Sequence, residues 1–325
     1  MPAPAAEVWR ALTDPELTRR FYYDMSVSSS WKPGSPVKYT FGPDQVGESG
    51  VVLEADPGRW LTLETRFLFD RSLAAEPSHL TVWALSAAGS GTRVKVMYEV
   101  PEAAPLAAKI LRDDGDVPLR GLRLLLDAAA HAELQRRPEI GPVEVRDLSP
   151  ALLADFQRFF DEDAFRDHPA WAACYCSETN IGESALRTSA ENRAGMSRLV
   201  EAGEVTALLA YVDGQPVGWC NYGLTTRLAG VMSKLELEAG DHEGVGSVAC
   251  FVIAAPFRRH GIAERLLEAA CARLAAAGCG AVEAYPRKDD SDATSYRGPL
   301  EMYLGAGFEP YREAGKTLIV RKSLG

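Results

Sequence analysis

Ser247-Val248-Ala249-Cys250-Phe251-Val252-Ile253, carried through Ala254-Ala255-Pro256-Phe257 into Arg258-Arg259-His260-Gly261-Ile262-Ala263, is the stretch around which the chain is read. The opening run is apolar after its serine and does not alternate, which is the pattern of a strand covered on both faces. Beyond the Arg/Gly turn, Ile262, Leu266, Leu267, Ala270 and Leu274 recur at helical spacing, and Gly278 supplies a stop. Residues 247–277 therefore predict a buried strand that turns through Pro256 into a loop opening a helix. Free N–H groups at a helix start, together with the positive end of its dipole, make a seat for phosphate. A side chain at Gly261 would bar a phosphate from the main chain. Taken alone, an Arg-Arg-x-Gly turn before a helix is more often a plain solvated connection.

At 325 residues the chain is too long for one compact core, and two domains are expected. With 46% hydrophobic and 25% charged residues it reads as a packed globular protein. No run approaches the roughly eighteen apolar residues of a membrane span. Met1-Pro2-Ala3-Pro4 lacks the basic-then-apolar order of a signal peptide. A net charge of −10 argues against a nucleic-acid partner, which would want a basic face, and suits a cationic or amine acceptor. Six cysteines are scattered without paired zinc spacing, so buried reduced thiols, no metal and a reducing cytoplasm are expected.

Residues 3–137 read as α+β. Residues 5–12 have a helical pattern, and Thr13-Asp14-Pro15-Glu16 starts a second short helix. Strand-like pieces follow. Leu61, Leu63, Thr65 and Phe67 alternate with Thr62, Glu64 and Arg66, while Leu80, Val82 and Ala84 share one face of another strand. Val94, Val96, Tyr98 and Val100 oppose Arg93, Lys95 and Glu99, as in a sheet with one wet face. A long helix with an apolar stripe is expected over residues 118–136. His79 and His131 are isolated and read as surface or satisfied histidines.

Residues 138–142, Pro138-Glu139-Ile140-Gly141-Pro142, form a polar, Pro/Gly-bearing link. Residues 143–148 alternate as a first strand, and Ser149-Pro150 starts a helix reaching Phe160. An acidic and aromatic patch runs from Asp161 to Trp171; it reads equally as an acceptor lining or as a solvated loop with Trp171 tucked into the core. Residues 188–202 predict a helix stopped by Gly203, and Asp213-Gly214 between apolar runs predicts a hairpin. Residues 288–295 read as an exposed acidic insert, and residues 316–322 as a final strand.

Arg258-x-x-Gly261-x-Ala263 after a buried strand resembles motif A of the GNAT acyl-CoA N-acetyltransferases. Tyr303-Leu304-Gly305-Ala306-Gly307-Phe308 resembles that family's late Tyr-x-x-x-Gly-Phe signature, and Ala281-Val282-Glu283-Ala284-Tyr285-Pro286 stands where it has its fifth strand. The first segment resembles the AHSA-like branch of the START-like (SRPBCC) proteins. Its words are Val8-Trp9-Arg10-Ala11-Leu12-Thr13-Asp14-Pro15, Gly50-Val51-Val52-Leu53-Glu54-Ala55-Asp56-Pro57 and Gly91-Thr92-Arg93-Val94. That plan has a strand ahead of the first helix, almost where Met1 falls, so a start further upstream is expected.

The resemblances imply a two-domain α+β and α/β fold. A START-like helix-grip domain, an antiparallel sheet with a long C-terminal helix, is expected over residues 1–137, and a GNAT mixed αβ sheet over residues 143–325. They imply acetyl-CoA as acyl donor, with the pantetheine held by main-chain groups of Phe251 and Ile253 and the pyrophosphate by Arg258, Arg259, Gly261, Ile262 and Ala263. Charge-assisted hydrogen bonds contribute about 1.5–3 kcal/mol each and a helix terminus roughly 0.3–1, so the amide cradle as a whole is expected to dominate affinity. Tyr303 matches the tyrosine that protonates the departing thiolate, or is a core tyrosine. Glu283, with Glu243 behind it, is the candidate base, although ordered water serves many GNAT proteins. The family's usual asparagine before this tyrosine is absent, and Tyr296 and Arg297 occupy that neighbourhood. The first domain is implied to hold an apolar ligand or a partner. Two function classes follow. The first is an N-acyltransferase acting on a small-molecule or protein amine. The second is a non-enzymatic binder in which the GNAT fold is only a CoA-binding or scaffold module.

Overall fold

The computed structural model describes the chain apart from residues 43–44, 183, 185, 236–241, 289–295 and 325. The acidic insert expected over residues 288–295 therefore lies, but for Lys288, outside the described residues. The chain forms two compact units. Unit 1 comprises Met1–Gln135 with Asp167–Ala173 and Ala185–Ala190; unit 2 comprises Arg136–Arg166, Cys174–Ser184 and Glu191–Gly325. Trp171, expected in the second domain, thus belongs to unit 1. No helix of the described residues is long and apolar enough to cross a membrane.

Unit 1 carries a six-stranded antiparallel meander: β1 (Ser26–Ser29), β2 (Pro36–Thr40), β3 (Val46–Asp56), β4 (Trp60–Phe67), β5 (His79–Ala88) and β6 (Gly91–Glu99). Its helices are α1 (Ala5–Thr13), α2 (Pro15–Arg19), α3 (Arg71–Ala74), α4 (Pro105–Asp114), α5 (Val117–Leu126) and α6 (Ala128–Gln135). Leu122 of α5 joins Val8, Val37, Tyr39, Val52, Leu61, Leu63 and Trp83 in one core, so α1 and α5 cover one face of the sheet. The amine of Met1 donates to the Thr92 carbonyl at 2.8 Å, and the Thr92 amide to the Met1 carbonyl at 2.9 Å, which ties the first residues to the edge of β6.

One expectation is corrected here. The single helix over residues 118–136 is two helices broken at Asp127. Its backbone leaves the helical region, and its carboxylate accepts the Ala130 amide at 3.0 Å, capping α6. Aspartate competes for local backbone donors in this way and so favours a cap over a helix interior. On β5 the buried set is His79, Thr81, Trp83 and Leu85, while the face of Leu80, Val82 and Ala84 is only half-buried. Both sets on β5 carry apolar residues, and the large area of Trp83 decides which faces the core.

Unit 2 is built on a seven-stranded sheet in the order β12-β13-β11-β10-β9-β8-β7. The strands are β7 (Glu144–Asp147), β8 (Ala207–Val212), β9 (Gln215–Leu224), β10 (Val245–Ile253), β11 (Ala281–Ala284), β12 (Glu309–Ala314) and β13 (Thr317–Ser323). Only β10 and β11 run parallel. Its helices are α7 (Leu153–Arg158), α8 (Ser177–Ile181), α9 (Ser189–Glu201), α10 (Ala229–Lys234), α11 (Ile262–Ala276) and α12 (Leu300–Gly305). β8 is buried along its whole length and β9 and β10 nearly so, as continuous apolar runs require. Ile262, Leu266, Leu267, Ala270 and Leu274 of α11 pack on Leu208, Val217, Val248 and Val282. Each such side chain contributes about 1.5–3 kcal/mol on burial, enough to fix the helix start against the end of β10.

His79 is 2% exposed, with Nε2 3.5 Å from Thr65 Oγ1 and Nδ1 without a partner among the described residues. Burial pushes its pKa from 6.5 down to about 4. Between those values the unfolded chain takes up a proton that the folded chain refuses. The stability His79 contributes is therefore whole above pH 6.5 and is lost as pH falls toward 4. His79→Gln should flatten the unfolding free energy of unit 1 across that window by roughly 3 kcal/mol relative to the parent, as read by urea titration. Parallel profiles for the two proteins would contradict this.

Candidate functional site

β10 and β11 pair over Val245–Val248 and Ala281–Ala284, and their ladder ends there. On the other side of β10 the register against β9 shifts between Val248 and Cys250, placing a bulge at Ala249. A bulge bends its strand and re-aims the groups beyond it. Past the bulge, the Phe251 amide no longer serves a neighbouring strand and donates to the Tyr296 carbonyl at 2.5 Å. β10 then runs through a single 3-10 turn, Ala255–Phe257, into the Arg258–Ala263 loop.

The loop is held from within. Arg258 Nε donates to the Ile253 carbonyl at 2.9 Å. The His260 ring lies with Nδ1 3.1 Å from the Arg258 carbonyl and Nε2 2.9 Å from the Pro138 carbonyl. Arg259 is exposed and, like Gly261, has a left-handed backbone, with φ 67° and 72°. Gly261 is the N-cap of α11, which has no side-chain cap, and nothing among the described residues lies within 4 Å of where a Cβ on Gly261 would stand. The first-turn amides of α11, which no earlier turn can satisfy, therefore open beside unfilled space. Ile262 anchors the turn in the core at 2% exposed, and Ala263 is half-buried. The structure thus brings Phe251, Ile253, Arg258, Arg259, Gly261, Ile262 and Ala263 together at the end of β10.

Tyr303 packs 6.5 Å from Phe251, centroid to centroid, and is fully buried. Its hydroxyl donates to the Arg297 carbonyl, and burial pushes its pKa well above the ordinary value. Glu283 stands apart from the loop, opposite Ser247 on the paired side of the parting. It is 0% exposed, with Oε1 2.9 Å from Arg321 Nε and 2.5 Å from Nη2. Its Oε2 is 3.4 Å from His242 Nε2 and 3.5 Å from the Tyr285 hydroxyl. That hydroxyl is 2.5 Å from Ser247 Oγ, itself 2.7 Å from Thr225 Oγ1. Glu283 is thus the hub of a buried polar network rather than a lone carboxylate. Glu243 is exposed.

Between the parted strands and α8 lies a cavity of about 20 Å³, bounded by Glu178, Thr179, Ala249, Tyr285, Tyr296 and Arg297. It has room for about one water. Sequence reasoning did not single out His242, Arg321, Tyr285 or His260. A signal existed for Arg321, a charge ending the apolar run Leu318-Ile319-Val320, and the β11–β13 register sets it directly opposite Glu283.

Comparison with known proteins finds two family models on the chain. Residues 2–113 match the "Activator of Hsp90 ATPase homolog 1-like protein" model, and residues 156–296 match the "Acetyltransferase (GNAT) family" model. The second match spans the loop and Glu283 and ends before Tyr303. No curated protein matches the chain. Similar solved structures include PaiA N-acetyltransferase from Thermoplasma acidophilum in complex with coenzyme A, 16% identical, covering 56% of this chain and 99% of that one, with a TM-score of 0.36. An N-acetyltransferase from Staphylococcus aureus Mu50 is 11% identical over 57% of this chain and 100% of that one, also at 0.36. CalU16 from Micromonospora echinospora is 20% identical over 41% of this chain and 74% of that one, at 0.31.

Removing one partner of a buried ion pair leaves the other charge without compensation. Arg321→Ala should therefore destabilise unit 2 by about 3 kcal/mol, and the double variant with Glu283→Gln should recover part of the loss. Chemical denaturation of the parent, the two single variants and the double variant measures both effects. Additive losses would show that Arg321 and Glu283 act independently.

Proposed function

We propose that unit 2 is an acyl-CoA-dependent N-acyltransferase that moves an acetyl group from acetyl-CoA to an amine, and that unit 1 binds an apolar ligand or a partner. The observation that carries the reading is the start of α11, an uncapped helix N-terminus entered through a left-handed glycine with open space above it. Such a terminus favours a pyrophosphate by its free amides and by its dipole. The match of residues 156–296 to the acetyltransferase family model supports the same assignment.

In this reading the amides of Gly261, Ile262 and Ala263 take the pyrophosphate, with Arg258 and Arg259 supplying positive charge. The pantetheine enters the parting of β10 and β11, where its amide replaces the Tyr296 carbonyl on the Phe251 N–H. One hydrogen bond is exchanged for another, so the displacement costs little beyond ordering. The amine nitrogen then attacks the thioester carbon, the C–N bond forms and the C–S bond breaks. The ammonium proton leaves through Glu283 and the network around it, or through water, and the Tyr303 hydroxyl returns a proton to the CoA thiolate.

One observation favours the second reading, a CoA-binding or scaffold module without catalysis. The Phe251 amide, the Tyr303 hydroxyl and both oxygens of Glu283 already have partners inside the protein. Catalysis requires the Tyr296 and Arg297 carbonyls to give way; a non-catalytic CoA site does not require it of Arg297.

Acetyl-CoA-dependent thiol release with a panel of primary amines separates the readings. Gly261→Glu, which places a carboxylate where the pyrophosphate sits, should weaken acetyl-CoA binding by about 100-fold or more, close to 3 kcal/mol. Gly261→Ala imposes the backbone strain without the charge and should lose much less. Tyr303→Phe should lower kcat by about 10- to 100-fold while leaving CoA affinity intact, as expected for loss of an acid. Binding without transfer to any amine would establish the CoA-binding module reading, and no binding by the parent protein would contradict the enzyme reading and leave unit 2 only a scaffold role.

A further inference from the structure

Unit 1 contains a cavity of about 400 Å³ between the inner face of its sheet and helices α4 and α5, and every described residue lining it belongs to that unit. That volume suits a small organic molecule. Tyr22, Tyr23, Phe67, Phe69, Tyr98 and Trp171 form much of its wall. The tyrosine hydroxyls are engaged elsewhere: Tyr22 donates to Glu48 Oε2 at 2.9 Å, Tyr23 to the Asp114 carbonyl at 3.1 Å, and Tyr98 to the Gly115 carbonyl at 2.7 Å. What these residues offer a ligand is the rings themselves.

Among those rings lies Glu48, 2% exposed, in the middle of the sheet. Its partners are the hydroxyls of Tyr22 and Thr65, neither of them a cation, and burial raises its pKa. Asp114, 9% exposed, is a second carboxyl in the wall; it accepts the Ser189 amide at 3.2 Å and is likewise raised by burial. Among the described residues, and counting the exposed Asp24, the lining holds three carboxyl groups against one guanidinium, that of Arg187. A buried carboxylate without a counter-charge is costly to keep ionised. Aromatic faces attract a cation within about 6 Å and add to the pull of a carboxylate. An apolar, ring-lined cavity with an unbalanced acidic wall is therefore complementary to a molecule with an apolar body and one positive charge.

We propose that this cavity binds a small amphiphilic amine, its ammonium group seated against Glu48 among the tyrosine rings and its apolar body against Phe67, Phe69 and Trp171. The inference rests on unit 1 being a ligand-binding unit and is independent of acyl transfer by unit 2. It replaces the broader expectation of an apolar ligand with a charged class.

Calorimetric titration of the full chain with n-octylamine, n-octanol and octanoate tests it, with intrinsic tryptophan fluorescence as a second readout. Octylamine should bind at least about tenfold more tightly than octanol, a difference of some 1.4 kcal/mol, and octanoate should bind weakest. Glu48→Gln should bring the amine down to the level of the alcohol and leave the alcohol unchanged, whereas Glu48→Asp, which keeps the charge, should retain the preference. If Glu48→Gln does not fold, the order of the three ligands on the parent protein still decides. Equal binding of amine and alcohol would overturn the charged class while sparing the cavity as an apolar site. Tightest binding of octanoate would make Arg187 the anchor and overturn the proposal. Failure of all three to bind would remove the ligand-binding reading of unit 1 with it.

Discussion

Two parallel strands that hydrogen-bond for four residues and then separate, β10 and β11, set the arrangement of everything else in unit 2. Backbone amides that leave a ladder inside a protein must find other acceptors, because an unpaired buried N–H costs about as much as a lost hydrogen bond. The Phe251 amide meets that demand with the Tyr296 carbonyl, which draws the chain before α12 across the parting. The bulge at Ala249 and the core contacts of α11 hold the separation open from the other side.

The same parting isolates the Glu283 network. On the paired side, where strands exclude water, a carboxylate survives burial only with charge and hydrogen bonds around it. Arg321 comes from the facing position on β13, His242 from the chain just before β10, and Tyr285 from just past the end of β11. Above the parting the demand is reversed, for the helix start leaves donors facing open space. Unit 2 therefore presents a satisfied carboxylate on β11, opposite Ser247, and a donor cradle beyond the end of β10.

Local patterns were legible in the sequence, and long-range ones were not. The unalternating run from Val248 to Ile253, the Gly261 turn and the stripe from Ile262 to Leu274 depend on neighbours a few residues apart, and the strand, loop and helix lie where that spacing puts them. The Asp213-Gly214 hairpin is of the same kind. The break at Asp127 escaped because an apolar stripe says nothing about a cap inside it. At the site, the bond between the Phe251 amide and the Tyr296 carbonyl leaves no mark on any side chain. The tie from His260 to Pro138 spans 122 residues. The membership of Trp171 in unit 1 is likewise a matter of distant contacts, which composition does not record.

Hydrogen–deuterium exchange of backbone amides, with and without saturating acetyl-CoA, tests the central claim most directly. Occupation of the parting and of the helix start should slow exchange at Gly261, Ile262 and Ala263 while leaving the β8–β9 hairpin unchanged. Exchange across residues 247–263 that is identical in the two samples would contradict the account, because it would mean that the donor cradle at the end of β10 holds no phosphate.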